Sequence, residues 1–213
     1  MQRLRLKFGR GQELKFLSHL DLMRLWERAL RRAGLPLAYS EGFTPHPRIA
    51  LAAPLSLGVT SEADLMDIHL SRWLSPQNVV TAVRGQLPQG MELLEAWPVG
   101  LNVPSLQSQV RFVEYEVEVE KEEAVPDLES AIQLLLSAQE LNWQHLRDTG
   151  PRHYDLRALI DDVWLVERLG SAYLLGMRLR CDASGTGRPE QVAKALGFSQ
   201  RAKSIHRTKL VLS

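Results

Sequence analysis

Residues 110–120 carry the pattern that most constrains the fold, a strict alternation of apolar and acidic side chains. The apolar positions are Val113, Tyr115, Val117 and Val119, and the acidic positions are Glu114, Glu116, Glu118 and Glu120. A period of two is typical of a β-strand with one buried and one solvated face. The segment therefore predicts a one-sided strand in a sheet.

Similar elements occur in the same order in both halves of the chain. The first half predicts strand 3–8, a helix capped by Ser18 and ending near Ala33, a short strand 37–40, strands 48–53 and 64–70, a helix opened by Ser75 and Pro76, and strand 91–96. The second half predicts strand 110–120, a helix after Asp127, strands 152–160, 163–168 and 173–181, a helix from Pro189, and strand 205–212.

Leaving aside the additional strands, this order is βαββαβ, twice. It predicts an α+β fold of two tandem ferredoxin-like units. Residues 98–104 are rich in proline and glycine and are the expected linker. We therefore expect one domain over residues 1–99 and a second over residues 105–213.

Charge is distributed unevenly between these two halves. Residues 1–60 contain ten Lys or Arg and four acids, a net charge of +6, whereas the remainder carries −5. The overall charge of +1 conceals this asymmetry. A basic amino-terminal domain favours phosphate-bearing partners, while a solvated surface without a partner is the alternative interpretation.

Cysteine content and hydropathy exclude several classes of protein. Cys181 is the single cysteine, so a disulfide scaffold and a cysteine-held iron–sulfur cluster are excluded. The sequence shows no apolar run of the ~20 residues that a membrane helix needs and no signal-peptide pattern. We expect a cytoplasmic protein that binds no membrane, no metal and no cofactor.

The segments FLSHLDL (16–22) and YSEGFTPHPR (39–48), with the arginines between them, hold the densest set of functional side chains. Two prolines restrict the loop around His46, which lowers the entropy of presenting its side chains to a ligand. Cationic and aromatic residues together are typical of RNA recognition. The expected phosphate contacts are Arg10, Lys15, Arg24, Arg28, Arg31 and Arg48, and the expected base or sugar contacts are Tyr39, Phe43 and His46. A structural loop with Phe43 packed beneath it is the alternative.

Two other functions stay open at this point. His19 and His46 could act as general acid and base in a metal-independent enzyme that processes or modifies RNA. The chain could instead be a protein-interaction module that docks through its acidic second half. The preferred hypothesis is a non-catalytic accessory protein that binds tRNA or rRNA.

The same segments carry a resemblance to a known family. FLSHLDL, ERALRRAGLP (27–36), PHPR (45–48) and PLSLGV (54–59) resemble the radical-SAM-linked proteins of bacteria over residues 4–70, and DLRALI (155–160) extends the likeness more loosely. Members of that family are encoded beside or fused to a cobalamin-binding radical SAM protein. The resemblance implies such an enzyme as a partner, acting on tRNA or rRNA, and implies no catalytic residue in this chain.

Overall fold

The computed structural model describes residues 1–147 and 150–213, and the chain divides into two compact units. The first unit is Met1–Val110 and the second is Arg111–Ser213. Residues 105–110, which we expected in the second domain, therefore belong to the first unit. Within the described residues, no helix has the length and apolar character needed to cross a membrane.

Helices alternate with antiparallel strands in the first unit. Its elements are β1 (Gln2–Arg10), α1 (His19–Arg32), β2 (Ile49–Leu51), β3 (Thr60–Leu70), α2 (Pro76–Arg84), β4 (Met91–Val99) and α3 (Leu106–Gln109). The strands lie in the order β2-β3-β1-β4, and each neighbouring pair is antiparallel. Residues 37–40, predicted as a strand, form only isolated bridges, Leu37 with Leu70 and Tyr39 with Pro47.

The helix α1 begins where the sequence predicts. The Ser18 hydroxyl oxygen accepts a hydrogen bond from the backbone N–H of Asp21, which is the geometry of an N-cap. One face of α1 is buried through Leu22, Trp26, Ala29 and Leu30. The Trp26 ring meets the edge of Phe8 on β1, with ring centroids 4.9 Å apart. This packing fixes α1 against the sheet and turns its opposite face to solvent.

The strand β1 is buried on both faces, although its alternation of apolar and basic residues is typical of a half-buried strand. Its apolar side chains lie in the core with α1, while Arg3 and Arg5 on the other face are each 5 % exposed. Both guanidinium groups donate to Asp67 of β3, at 2.6 Å and 2.8 Å. Arg3 also donates to the carbonyl oxygens of Val103 and Pro104. These two cations are enclosed within the unit and are not offered to a partner.

The second unit has a similar mixture of elements. They are β5 (Val110–Glu120), α4 (Leu128–Ser137), β6 (Asn142–Arg147), β7 (Gly150–Asp155), β8 (Ile160–Leu169), β9 (Ala172–Asp182), β10 (Gly185–Thr186), α5 (Pro189–Ala195) and β11 (Ser204–Leu212). Strand β9 lies between β5 and β8 and is antiparallel to both, and β11 lies beside β5. The predicted strand 152–160 is correct only as far as Asp155, because β7 ends there and a 3₁₀ turn at Arg157–Leu159 separates it from β8.

The acidic face of β5 is half-buried and carries cationic partners. Glu114 pairs with Arg178 at 2.8 Å, and Glu120 pairs with Lys203 at 3.1 Å. The apolar face of the strand is buried, as the alternation predicts. Part of the acidic charge of this half is therefore compensated locally.

Candidate nucleic-acid interface

The outward face of α1 presents exposed arginines at helical spacing. Arg24, Arg28, Arg31 and Arg32 are all exposed. Arg24 forms an exposed ion pair with Asp21 at 3.4 Å, a contact worth about 0.2–0.5 kcal/mol. The Arg28 side chain has no hydrogen bond or ion pair with any residue that the structure describes. Arg28 is thus the α1 cation most available to an anionic ligand.

A shallow depression of about 280 Å³ adjoins Arg28. It is lined by Leu25, Arg28, Arg32 and Pro88. The Arg32 guanidinium donates to the carbonyl oxygen of Gln86 at 2.7 Å, which holds it at the rim. Two cationic and two apolar side chains line it, a combination that suits a phosphate or a nucleotide. Arg32 was absent from the predicted contacts because only its tertiary neighbours place it here.

Three backbone hydrogen bonds connect the segment after α1 to the strands. The N–H of Ala38 donates to the carbonyl oxygen of His69 at 2.8 Å. The N–H of His69 donates to the carbonyl oxygen of Arg48 at 3.0 Å. The N–H of Arg48 in turn donates to the carbonyl oxygen of Ala38 at 2.8 Å. These bonds form a closed ring of three residues. The ring fixes the base of residues 39–48, which we call the interface loop.

The interface loop is a hairpin with an exposed tip. The N–H of Ser40 donates to the oxygen of His46 at 2.8 Å, and the N–H of His46 donates to the Ser40 hydroxyl oxygen at 3.0 Å. Gly42 at the tip has a φ of +120°, which a side chain would strain. Phe43 is fully exposed, so the alternative of Phe43 packed beneath the loop is wrong.

An aromatic contact joins the interface loop to α1. The Arg31 guanidinium carbon lies 5.9 Å from the centroid of the Tyr39 ring, within cation–π distance. Tyr39 is 45 % exposed, so its ring is still open to a ligand. Arg48, at the base of the loop, is also exposed and lies 3.6 Å from the Met1 sulfur. The structure therefore brings together Arg31, Tyr39, Phe43, His46 and Arg48.

His69 lies behind the interface loop. Its Nδ1 is 3.4 Å from the Arg48 carbonyl oxygen. Burial lowers the pKa of the imidazole below its ordinary value, and the positive charges of Arg48 and Arg3 lower it further. The neutral ring is the favoured form, and His69 supports the base of the loop without adding charge to it.

Two predicted phosphate contacts lie apart from this group. Arg10 is 1 % exposed and donates to the carbonyl oxygens of Leu17 and Val59, so its prediction as a phosphate contact is wrong. The reason is that it ties the turn before α1 to the loop before β3. Lys15 is half-buried next to Phe16, before the amino-terminal end of α1.

The two candidate catalytic histidines are separated. His19 is the first residue of α1, whereas His46 lies in the loop that Arg31 contacts near the other end. Arg31 lies twelve positions after His19 along the helix, a rise of about 18 Å. The structure does not bring His19 and His46 into one site. Among the described residues, no three His, Cys, Asp or Glu side chains are grouped to hold a metal ion.

Trp73 is an exposed aromatic residue that the sequence pattern did not identify. It lies between β3 and α2 and is 71 % exposed. A single tryptophan in a short connection shows no periodicity, so only the structure distinguishes it from a core residue.

Comparisons with known proteins place the chain in a family. Residues 3–189 match the family described as "Uncharacterized protein conserved in bacteria (DUF2344)". Since the match covers most of the chain, this protein belongs to that bacterial family. No curated protein matches the sequence.

Two solved structures contain a chain with a similar fold. A chain of the "Crystal Structure of a Cbf5-Nop10-Gar1 Complex" has a TM-score of 0.54 and 13 % identity, covering 97 % of this chain and 48 % of that one. A chain of an H/ACA RNP bound to a substrate RNA containing 2'-deoxyuridine has a TM-score of 0.50 and 11 % identity, covering 97 % and 47 %. The present chain spans about half the length of these chains. At such identities the likeness shows the fold alone.

Proposed function

We propose that this protein is a cytoplasmic, non-catalytic accessory protein that binds RNA through the outward face of α1 and the interface loop. The observation that carries the proposal is the contact of Arg31 with Tyr39. It unites the arginine face of the helix with an exposed aromatic loop in one continuous surface.

The chemistry of this surface suits RNA. Arg28, Arg31 and Arg48 are exposed guanidinium groups that can donate to phosphate oxygens. Tyr39 and Phe43 present rings on which bases can stack, and His46 can donate to a sugar or phosphate oxygen. Because hydrogen bonds within the loop already fix its base, binding would cost little further ordering of the backbone.

The proposal agrees with the fold comparison, which by itself shows the fold alone. A similar fold, over nearly all of this chain, occurs in an RNP that is bound to a substrate RNA.

We also infer that each unit is ferredoxin-like. The order β2-β3-β1-β4 in the first unit and the placing of β9 between β5 and β8 in the second support this inference.

The geometry favours RNA binding without catalysis over the catalytic alternative. A ribonuclease using His19 and His46 needs both imidazoles at one ribose, and these residues lie towards opposite ends of α1. The resemblance of residues 16–22 and 39–48 to radical-SAM-linked proteins supports a second part of the proposal. In that part, the chain presents tRNA or rRNA to a cobalamin-binding radical SAM enzyme.

Direct binding to RNA tests the proposal. The purified chain is titrated into labelled bulk tRNA and rRNA fragments, alongside Arg28→Glu and Arg31→Glu variants. We expect binding that each reversal weakens at least tenfold. Glu123→Lys, which changes an exposed charge in the second unit, serves as the control and should bind at least as well as the unmodified protein. Absence of binding at low salt would contradict the proposal.

A further inference from the structure

Hydrogen bonds fix the backbone on both sides of Trp73, whose side chain is exposed to solvent. The N–H and hydroxyl of Ser71 donate to the oxygen of Pro36, at 2.8 Å and 3.1 Å. The Gln2 side-chain amide makes two hydrogen bonds with the backbone of Leu74, at 2.8 Å and 2.9 Å. The segment is thereby ordered while the indole of Trp73 is 71 % exposed. A rigidly presented, exposed indole is typical of a binding surface.

The same hydrogen bonds place Trp73 at the end of the first unit that bears the interface loop. Pro36 lies three residues before Tyr39, and Leu37 forms a bridge with Leu70 at the end of β3. Trp73 follows Leu70 by three residues. Trp73 therefore lies in the same part of the unit as Tyr39, which is also exposed.

The surroundings of these aromatic rings are strongly basic. Residues 28–50 and 69–75 contain a single acidic residue, Glu41, and five arginines. The arginines are Arg28, Arg31, Arg32, Arg48 and Arg72, all exposed. Exposed rings on segments rich in exposed arginines complement a polyanion with planar faces better than an apolar protein surface.

We infer that Trp73, Tyr39 and Phe43 form a stacking surface for unpaired bases, so that the ligand is single-stranded RNA. This inference rests on the RNA-binding function proposed above. Base faces are free in a single strand, whereas in a duplex they are covered by neighbouring base pairs. An exposed aromatic ring cannot stack on the bases of a paired helix, which offers only its backbone and groove edges.

The experiment compares one labelled 12-nucleotide RNA of mixed sequence, single-stranded or annealed to its complement, by fluorescence anisotropy. We expect the single strand to bind at least tenfold more tightly than the duplex. Trp73→Ala should weaken single-strand binding about five- to hundredfold, and Trp73→Phe should retain most of it. Indole fluorescence should be quenched on binding, and Trp73→Phe should abolish most of that quenching.

Phe16→Ala is the matched control, because Phe16 is 72 % exposed but lies before the other end of α1. It should bind RNA as the unmodified protein does. The inference would be overturned if the protein bound both RNA forms with equal affinity and if Trp73→Ala and Phe16→Ala had the same affinity for RNA. The indole would then be assigned to a protein contact. In that case, loss of binding in Arg28→Glu would preserve the proposed function. Failure of both RNA forms to bind would overturn both proposals.

Discussion

The Arg31 guanidinium lies over the Tyr39 ring, with 5.9 Å between its central carbon and the ring centroid. The contact orients a cation for phosphate and leaves the ring exposed for a base. We predict that Tyr39→Ala weakens RNA binding at least fivefold, whereas Tyr39→Phe has little effect. A double-mutant cycle with Arg31→Ala should give a coupling of about 0.5–1 kcal/mol. Strict additivity of the two substitutions would show that the contact does not contribute to binding.

A second prediction separates two arginines on the same helix face. Arg24 is already paired with Asp21, whereas Arg28 adjoins the depression with Arg32. Arg28→Ala should therefore weaken RNA binding several-fold more than Arg24→Ala does, because only Arg28 can give its full charge to phosphate. Equilibrium binding of both variants at one salt concentration checks this. If both substitutions weakened RNA binding equally, the overall charge of the helix face, rather than the depression beside Arg28, would account for the binding.

The third prediction concerns the buried group of Arg3, Arg5 and Asp67. Asp67 accepts hydrogen bonds from both guanidinium groups, so Asp67→Asn leaves two buried cations without a counter-charge. We expect the free energy of unfolding, measured with urea, to fall by about 3–5 kcal/mol.

Asp161→Asn removes an exposed partner of Arg178 and provides the comparison, with an expected loss of at most about 1 kcal/mol. A similarly small loss for Asp67→Asn would mean that the remaining acceptors are sufficient partners. These are the Val103 and Pro104 carbonyl oxygens for Arg3 and the Gln109 side-chain oxygen for Arg5.

Stability should also depend on pH through His69. Its folded-state pKa lies below the ordinary value of 6.5, so the unfolded chain binds the proton more readily. The resulting loss of stability is absent well above pH 6.5, develops as the pH falls through 6.5, and is complete below the folded-state pKa. The charged groups that act on the ring are Arg48, Arg3 and Asp67.

Urea unfolding of the protein and of His69→Gln, at pH 7.5 and pH 5, measures this effect. The unmodified protein should lose more stability between the two pH values than the variant does. Equal losses would show that His69 is protonated as readily in the folded as in the unfolded chain.

Local signals made α1, α2 and α4 predictable, whereas the short helix α3 was not predicted. Ser18 before α1, Ser75 with Pro76 before α2 and Asp127 before α4 are N-cap residues in the structure. These features depend on side chains within one turn of each other. The buried and exposed faces of β5 were predictable for a similar reason, because its alternation is continuous.

Long-range contacts account for what the sequence did not reveal. Arg3 and Arg5 look like solvated strand residues, and their counter-ion Asp67 is more than sixty positions away. Arg10 likewise looks like an exposed phosphate contact, but it is buried and donates to the carbonyl oxygen of Val59, which is distant in sequence. The exposure of Phe43 and Trp73 depends on hydrogen bonds between their segments and residues distant in sequence. No local sequence pattern predicts such contacts.

The salt dependence of RNA binding tests the central claim most directly. Counter-ions are released in proportion to the phosphates contacted, so the logarithm of the association constant should fall linearly with the logarithm of the salt concentration. With Arg28, Arg31, Arg32 and Arg48 in contact, we predict a slope of about −3 for a single strand. Arg28→Glu should reduce the steepness by about one. A slope near zero, or one that Arg28→Glu leaves unchanged, would contradict the assignment of this face to RNA.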